Sequence, residues 1–294
     1  MATTNPIKAK IKTLKAEYDI LSKGKESLLK IIDESEISES VFNSNAIENS
    51  TLTLQETEKI LLDLEVSRNI SVREVFETKN LARVMEYVKN KAVEIELSKE
   101  MILFLHKMLI SNINDSIAGR FREKDEYVRI GTYIGTAPEH IEKMIDETLF
   151  EYLSGHNNYF IDNITKFHLD FESIHPFIDG NGRIGRVIIN YQLIRQGFPN
   201  VIIRNKEKKI YYKSFDEYHN SKNTKVMEKI LALSLIESLH KQTAYLKGDP
   251  IITLADYAKV HNKSVNSLIN LARRQTISAF REKGVWKISK SIHI

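Results

Sequence analysis

The sequence predicts a mostly α-helical protein that contains one β-hairpin and ends in a small unit of two helices and a second hairpin. Three observations lead to this fold class. Apolar residues recur at helical spacing in most segments, as in Ile164, Phe167 and Phe171. Residues 119–138 break that pattern, because they alternate and carry glycines where turns are expected. After Pro250 the composition becomes basic, and short periodic segments follow one another.

Composition excludes several classes of protein. The 294 residues allow one large domain or two modest ones, and 42% hydrophobic with 28% charged residues is ordinary for a folded globular protein. The absence of cysteine excludes disulfide bonds and thiolate metal sites. No apolar run approaches the roughly 20 residues that cross a bilayer, and residues 1–6 lack the apolar core of a signal peptide. We therefore expect a cytoplasmic protein without membrane contact.

The segments around the centre predict a helical scaffold. Residues 7–33 alternate lysines with apolar residues and predict an amphipathic packing or dimerisation helix, so a homo-oligomer is one expected assembly. A second helix is expected over about residues 37–47. Thr53 and Glu56 have the spacing of a capping box. His106 is expected to be a packed histidine. The remaining scaffold helices are expected at residues 72–93, 99–109, 139–154 and 225–246.

One stretch, residues 175–186, carries most of the polar chemistry. The helix that precedes it cannot continue through Pro176, which has no N–H. The run Gly180-Asn181-Gly182 allows a backbone turn that other residues resist. A second helix then begins near Arg183 and ends at Gly197. The stretch is therefore expected to be a loop between two buried helices.

The side chains of this loop suit phosphoryl or nucleotidyl transfer. Successive N–H groups in the turn, together with the positive end of the next helix, attract anions. Arg183 and Arg186 share one helix face and match phosphate oxygens. Asp179 is the kind of oxygen ligand that Mg²⁺ on a nucleotide needs, and His175, with an ordinary pKa near about 6.5, is a candidate general base. The alternative is a plain helix–loop–helix whose arginines pair with surface carboxylates.

The motif His-Pro-Phe-x-Asp-Gly-Asn-Gly-Arg-x-x-Arg over residues 175–186 resembles the complete active-site motif of the Fic family. The resemblance implies a Fic-type helical bundle with a hairpin flap. It implies transfer of AMP from Mg·ATP to a Tyr, Thr or Ser hydroxyl of a target protein or of the chain itself, with release of pyrophosphate. His175 would be the base and Asp179 the Mg²⁺ ligand. The α-phosphate would be held by Gly180, Asn181 and Gly182, and the β- and γ-phosphates by Arg183 and Arg186.

The run Ser44-Asn45-Ala46-Ile47-Glu48-Asn49 resembles the inhibitory motif of Fic proteins, which combines Ser or Thr, then Glu, then Gly or Asn. We expect an inhibitory helix over about residues 36–50. Ser44 and Glu48 are four residues apart and therefore neighbours on one helix face. The resemblance implies that Glu48 pairs with Arg186 and competes there with the γ-phosphate. The alternative is a surface glutamate at the end of a helix.

Two further segments are expected to enclose the nucleotide. The alternating run 127–135 predicts a hairpin, and the resemblance makes it a flap that registers a target segment by main-chain pairing. Val128, Arg129 and Ile130 are its expected contacts, with a purely structural hairpin as the alternative. Tyr211 matches the family's adenine-pocket tyrosine or is core. The family's later asparagine is replaced at the ungapped position by a histidine, His219, which departs from the pattern.

The last 45 residues predict a winged helix-turn-helix. From Pro250 onward, eight basic and two acidic side chains give this segment a charge of +6, which leaves −2 for residues 1–249 out of the total of +4. We therefore divide the chain into a catalytic domain, 1–248, and a C-terminal domain, 249–294. The second resembles small excisionase-like domains. DNA contacts through Arg273, Arg274, Lys283 and Lys287 are one expectation, and protein contacts are the other.

Three functions follow from these expectations. The first is AMP transfer restrained by Glu48. The second is removal of AMP, with Glu48 orienting a water molecule, as the resemblance allows. The third is a DNA-binding regulator whose Fic core senses nucleotide.

Overall fold

The computed structural model describes residues 3–66, 68–131, 133–155 and 157–292 of the chain. Two predicted elements include residues outside these ranges, namely Thr132 in the hairpin and His156 in the loop that follows residue 154. The described helices are α1 (Asn5–Ser22), α2 (Glu26–Ile47), α3 (Leu54–Leu61), α4 (Val72–Lys91), α5 (Lys99–Ile110), α6 (Pro138–Ser154), α7 (Phe160–Ile174), α8 (Asn181–Arg195), α9 (Lys208–Ser221), α10 (Lys225–Lys247), α11 (Leu254–Val260) and α12 (Val265–Arg273). The strands are β1 (Arg129–Ile130), β2 (Tyr133–Ile134), β3 (Ile251–Thr253), β4 (Ala279–Glu282) and β5 (Val285–Ser289).

The mostly helical fold class is confirmed, and most predicted helices are found within a few residues of their expected bounds. The division of the N-terminal region was wrong. The helix expected over 7–33 ends at Ser22, because Gly24 has a φ of +71° that a helix does not accept. A single helix, α2, then runs from Glu26 to Ile47 and includes the segment expected to start at residue 37. The capping box at Thr53 and Glu56 is present as predicted.

Two apolar cores meet at α7 and α8. One core contains Leu81, Leu105, Phe171 and Ile184, from α4, α5, α7 and α8. The other joins α1, α7, α8 and α10 through residues such as Leu235. Because both helices are buried on two sides, the loop between them is held at a fixed place. That loop is residues 175–180.

The predicted hairpin is short. β1 and β2 pair antiparallel, with Arg129 opposite Ile134 and Ile130 opposite Tyr133. Tyr133 stacks on His219 of α9, with ring centroids 3.9 Å apart. His219, the departure from the family pattern, therefore supports the hairpin.

The C-terminal unit contains β3, α11, α12, β4 and β5, with the sheet order β3–β5–β4. The sequence had not predicted β3, which pairs with β5. Its own apolar cluster includes Leu254, Tyr257 and Leu268. The order of helices and hairpin is the one expected of a winged helix-turn-helix, and the assignment to that class stays a prediction.

The predicted DNA contacts of this unit are only partly free. Arg273 and Arg274, at the end of α12, are exposed. Lys283 instead forms an ion pair with Glu58 (2.8 Å), and Lys287 pairs with Glu282 of its own hairpin. Both lysines are therefore paired with carboxylates, Lys283 because the hairpin turn packs against the helical body and Lys287 within its own hairpin. Within the described residues, no helix combines the length and the apolar character that crossing a membrane needs.

Candidate active site

His175 stands immediately after α7 in a conformation that bends the chain. Its backbone is left-handed (φ 52°, ψ 62°), and its N–H donates to Phe171 O (2.9 Å), so the residue caps the helix. The Nδ1 atom lies 3.3 Å from Glu172 O, a carbonyl oxygen that can only accept a hydrogen bond. Nδ1 therefore carries the hydrogen of the neutral ring, and the opposite nitrogen, Nε2, is left as an acceptor. Burial lowers the pKa of His175 to about 4, below the ordinary value that the sequence suggested. The imidazole is therefore neutral at pH 7 and able to accept a proton.

The loop after His175 is closed by Asn181. The Phe177 N–H donates to Asn181 Oδ1, and Asn181 Nδ2 donates to Phe177 O, both over 2.8 Å. Asn181 is buried and its amide shapes the turn, and its contact with the α-phosphate stays a prediction. The main-chain N–H groups of this turn are the groups that we expect to bind an anion.

His106 supports the loop 175–180. The sequence predicted only that this histidine is packed, and the packing is confirmed. Its ring stacks on Phe177 at 3.6 Å and lies almost parallel to it. Nδ1 accepts the Gly119 N–H (3.0 Å), so Nε2 carries the proton and donates to Asp179 O (3.0 Å). The imidazole therefore fixes the backbone of the residue predicted to bind Mg²⁺.

Arg122 is a second residue that the sequence analysis missed. It is buried, and its guanidinium donates to the carbonyls of His175 (Nε, 2.8 Å), Glu126 (Nη1, 2.8 Å) and Thr136 (Nη2, 2.6 Å). Glu126 and Thr136 flank the hairpin on either side. One side chain therefore ties the end of α7 to the base of the hairpin. No motif spacing signals this role, because the partners are main-chain groups.

The start of α8 is the place where the sequence predicts an anion site. Gly180 adopts a φ of +85° as the N-cap, and no side chain caps the helix. The Glu48 carboxylate lies against this turn, since a Cβ on Gly182 would come within 2.3 Å of Glu48 Oε1. The same oxygen accepts from Arg186 Nη2 (2.8 Å). A tethered anion therefore occupies the positive end of α8.

Ser44 completes this contact, and Asn49 does not. Arg186 donates from Nε to Ser44 Oγ and from Nη2 to Ser44 O, both over 2.9 Å. Asn49 instead takes a left-handed conformation (φ 69°) after the helix and accepts from Lys208 Nζ (2.7 Å). The pairing of Glu48 with Arg186, with Ser44 beside it, therefore has the expected geometry.

Arg183 faces a different set of carboxylates. Its Nη2 atom lies 2.9 Å from Asp179 Oδ1, and Nη1 lies 3.1 Å from Glu77 Oε1 on α4. Asp179 also pairs with Arg73. Burial acts to raise the pKa of Asp179, but Arg183 and Arg73 hold it below its usual value, so the carboxylate is ionised. Both motif arginines thus pair with carboxylates, although these belong to the site and not to the open surface.

The comparisons with known proteins agree with this geometry. The Fic/DOC family matches residues 96–193, one third of the chain. A protein from Nematostella vectensis, "Protein adenylyltransferase Fic", is 31% identical over 187 residues, which are 62% of this chain and 42% of that protein. Relatives from Caenorhabditis elegans and Drosophila virilis carry the same enzyme name. The chain carries a Fic domain.

Solved structures extend the likeness beyond the Fic domain. A Fic domain-containing signaling protein from Bacteroides thetaiotaomicron aligns with a TM-score of 0.72 at 25% identity, covering 82% of this chain and 98% of that one. A Fic family protein from Desulfovibrio desulfuricans shares the fold over the whole chain and 98% of its own, with a TM-score of 0.63 at 17% identity. In contrast, the chain spans about two-fifths of the length of the Nematostella relative.

Tyr211 lies behind the Fic motif and does not line an opening. It is 1% exposed, and its Oη lies 2.9 Å from His168 Nε2. Its ring centroid is 5.8 Å from the Arg186 guanidinium. Tyr211 therefore packs under the arginine as a buried ring, and its contact with adenine stays a prediction. Its neighbour Tyr212 is partly exposed and donates to Ile47 O (3.0 Å), beside Glu48.

The predicted flap contacts lie at the hairpin of the Fic domain. Arg129 and Ile130 form β1, and Val128 O accepts the N–H of Gly135 (3.0 Å) just beyond β2. Arg129 Nε donates to Gly131 O (3.0 Å), within the same hairpin. Contacts of these three residues with a target stay predictions.

Proposed function

We propose that this chain transfers AMP from Mg·ATP to a hydroxyl side chain of a target protein or of itself, releasing pyrophosphate, and that Glu48 restrains the reaction. Relatives named protein adenylyltransferase support the class of reaction. The complete motif over residues 175–186 supports the site. Because the chain covers only part of those relatives, the activity is inferred for this chain.

The observation that carries the proposal is an anion site next to a neutral imidazole. The Glu48 carboxylate lies at the start of α8 and on Arg186, and this placement of a negative group supports anion binding there. His175 caps the end of α7 and Gly180 caps the start of α8, so the imidazole and the anion site belong to the two ends of one short loop. A phosphate bound where Glu48 lies would therefore be close to a general base.

The chemistry follows from these groups. The main-chain N–H groups of the turn and the guanidinium of Arg186 would bind phosphate oxygens and orient the triphosphate. His175 would take the proton of the attacking hydroxyl as its oxygen forms a bond to the α-phosphorus. The bond from that phosphorus to the bridging oxygen would break, and pyrophosphate would leave with the electron pair. Catalysis would then be alignment plus stabilisation of phosphate charge.

Asp179 is the residue that would hold Mg²⁺ with the nucleotide. Mg²⁺ is commonly bound by one or two carboxylates together with substrate phosphates, so a single ionised carboxylate beside the anion site fits. Within the described residues, no cluster of three or more His, Cys, Asp or Glu side chains offers a separate metal site. Bound Mg²⁺ would neutralise phosphate charge. Arg73, the surface partner of Asp179, would have to move aside.

Glu48 would inhibit by competition for Arg186. Its carboxylate is part of the same chain and therefore has a high effective concentration at the guanidinium. A γ-phosphate that is denied this arginine would leave the α-phosphate poorly aligned for attack.

The position of Glu48 also supports AMP removal as a second candidate. A carboxylate at the anion site and close to His175 is placed to orient a water molecule towards a phosphate. Transfer remains the first choice because the named relatives are transferases.

Intact-mass measurement tests the proposed function. Wild type, Glu48→Gly and His175→Ala are incubated with Mg·ATP, and we expect an adenylate increment that is small in wild type, larger in Glu48→Gly and absent in His175→Ala. An increment that survives loss of His175 would contradict the assigned base. For AMP removal, protein modified in the Glu48→Gly form serves as substrate, and release of AMP by wild type but not by Glu48→Gly would favour the second candidate.

A further inference from the structure

The middle of α2 contacts the turn between β4 and β5, although 244 residues separate them in sequence. Glu39, on α2, is 3% exposed. Its carboxylate accepts the main-chain N–H groups of Lys283 (3.0 Å) and Gly284 (3.1 Å), and it pairs with Arg204. Helix α2, which is followed directly by Glu48, is therefore hydrogen-bonded to the hairpin turn of the C-terminal unit.

Arg204 extends this contact into a buried network. Its Nη2 atom lies 3.1 Å from Glu237 on α10 and 3.3 Å from Arg281 O on β4. Arg281 binds the same Glu237 carboxylate through Nη2 (2.6 Å) and Nε (2.9 Å). If one of these ions were removed, its partner would be left as an unpaired buried charge, which would destabilise the fold. Each member of the network therefore depends on the others.

Two further residues of α2 are bound on the same side. Glu36 pairs with Lys241 of α10 (2.8 Å), and Lys241 lies 3.7 Å from Glu282 of β4. Asn43 accepts the Asn205 N–H through Oδ1 (3.0 Å). Glu36, Glu39 and Asn43 are therefore all held by elements outside α2.

The spacing of these residues fixes how α2 is placed. Glu36, Glu39 and Asn43 lie at helix positions i, i+3 and i+7, which form one face. A rotation or axial shift of α2 would leave the buried carboxylates of Glu36 and Glu39 without their partners, so one register is strongly preferred. Glu48 follows Glu39 by nine residues, about 13 Å along the helix. The register of α2 decides whether Glu48 reaches Arg186.

We propose that the C-terminal unit holds α2 in the register in which Glu48 binds Arg186, and that Glu39 is the positioning residue of this contact. The inference rests on the proposed function, because it assumes that Glu48 inhibits transfer. Glu39 makes no contact with Arg186 and acts through the helix. When the hairpin turn releases Glu39, the end of α2 shifts and Arg186 becomes available to the nucleotide.

Glu39→Gln in the full chain tests the proposal. Glutamine keeps the volume and one acceptor but removes the charge that binds Arg204. We expect adenylate incorporation to rise roughly fivefold or more over wild type, which corresponds to weakening one charge-assisted hydrogen bond. Glu34→Gln is the matched control, because Glu34 is exposed on the same helix and pairs across the surface with Lys30. It should leave incorporation at the wild-type level.

Two readouts separate this role from a general loss of structure. In the double variant Glu39→Gln/Glu48→Gly, incorporation should equal that of Glu48→Gly alone, because no inhibitory carboxylate remains to be positioned. Amide hydrogen exchange over residues 40–50 should be faster in Glu39→Gln than in Glu34→Gln. Gly284→Ala provides a second route. It strains a turn at φ +77° where an added Cβ meets open space, removes no charged group, and should also accelerate that exchange by disturbing the Gly284 N–H that binds Glu39.

The outcomes distinguish this proposal from the function on which it rests. Wild-type exchange in both Glu39→Gln and Gly284→Ala would overturn the coupling, even if Glu48→Gly transfers AMP. Additive incorporation in the double variant would also overturn it. Faster exchange over residues 40–50 without transfer by any form would keep the coupling and refute the proposed function.

Discussion

Gly182 explains how the Glu48 carboxylate can approach the start of α8. Without a Cβ, the backbone leaves room for Glu48 Oε1, which a methyl group would approach to 2.3 Å. The same methyl group would lie 3.1 Å from Arg186 Nη1. Glycine is therefore needed at position 182 because a carboxylate lies close to the helix terminus, and not because the backbone takes a positive φ.

Gly182→Ala tests whether nucleotide and Glu48 use the same space. If they do, the methyl group should weaken ATP binding at least about tenfold, the loss of one charge-assisted hydrogen bond, even where Glu48 is absent. Isothermal titration with ATP and Mg²⁺ compares Glu48→Gly with Glu48→Gly/Gly182→Ala. Equal affinities in the two proteins would show that the phosphates bind elsewhere.

At the scale of elements, the helix α7, the loop 175–180 and the hairpin are joined by one guanidinium. Arg122 binds main-chain carbonyls at the end of α7 and on both sides of the hairpin. A planar guanidinium can serve three separate carbonyls, whereas an ammonium group acts as a compact point charge. The position of the predicted base and that of the predicted flap are therefore linked.

Arg122→Lys should loosen both elements. We expect faster amide exchange over residues 126–136 and a fall of about 2 kcal/mol in the free energy of unfolding, since buried carbonyls lose their donors. Arg120→Lys is the matched control, because Arg120 is the neighbouring cation that binds the Glu126 side chain near the surface. Equal effects of the two substitutions would show that Arg122 has no special role in joining the elements.

At the scale of the whole molecule, buried histidines make stability depend on pH. Burial lowers the pKa of His106, His175 and His240 to about 4 and that of His168 to about 3. Unfolded imidazoles titrate near about 6.5, so their contribution is fully present above that pH and is lost as the pH falls towards 4. Burial raises the pKa of Glu172 to about 8 and also raises the pKa of Glu36 and Glu228, and these three glutamates act in the opposite direction.

We expect the unfolding temperature to fall between pH 7 and pH 5.5. Each buried histidine contributes roughly 1.4 kcal/mol less to the free energy of unfolding at pH 5.5, and we expect the four together to outweigh the glutamates with a raised pKa. Thermal unfolding of His240→Gln should show a weaker pH dependence than wild type, while substitution of the exposed His140 should leave the dependence unchanged. A stability that stays constant or rises over this range would contradict the assignment of neutral buried imidazoles.

The sequence alone determined the helical class and the loop between two helices, and its resemblance to a known motif indicated the pairing of Glu48 with Arg186. These features depend on local rules such as apolar spacing, proline and glycine, and on a motif that keeps its order along the chain. The sequence also gave the correct capping box at Thr53. The prediction of one helix over residues 7–33 was wrong because the sequence analysis overlooked the turn at Gly24.

The tertiary structure decided which side chains are free and which are already bound. Asn181 closes its own loop, Tyr211 is buried under Arg186, and Lys283 is paired with a carboxylate of the helical body. The supporting roles of Arg122 and His106 depend on main-chain partners that any sequence offers. Burial and long-range pairing are properties of the packed chain, because the residues that meet at Glu39 are brought together only when the last hairpin folds against an N-terminal helix.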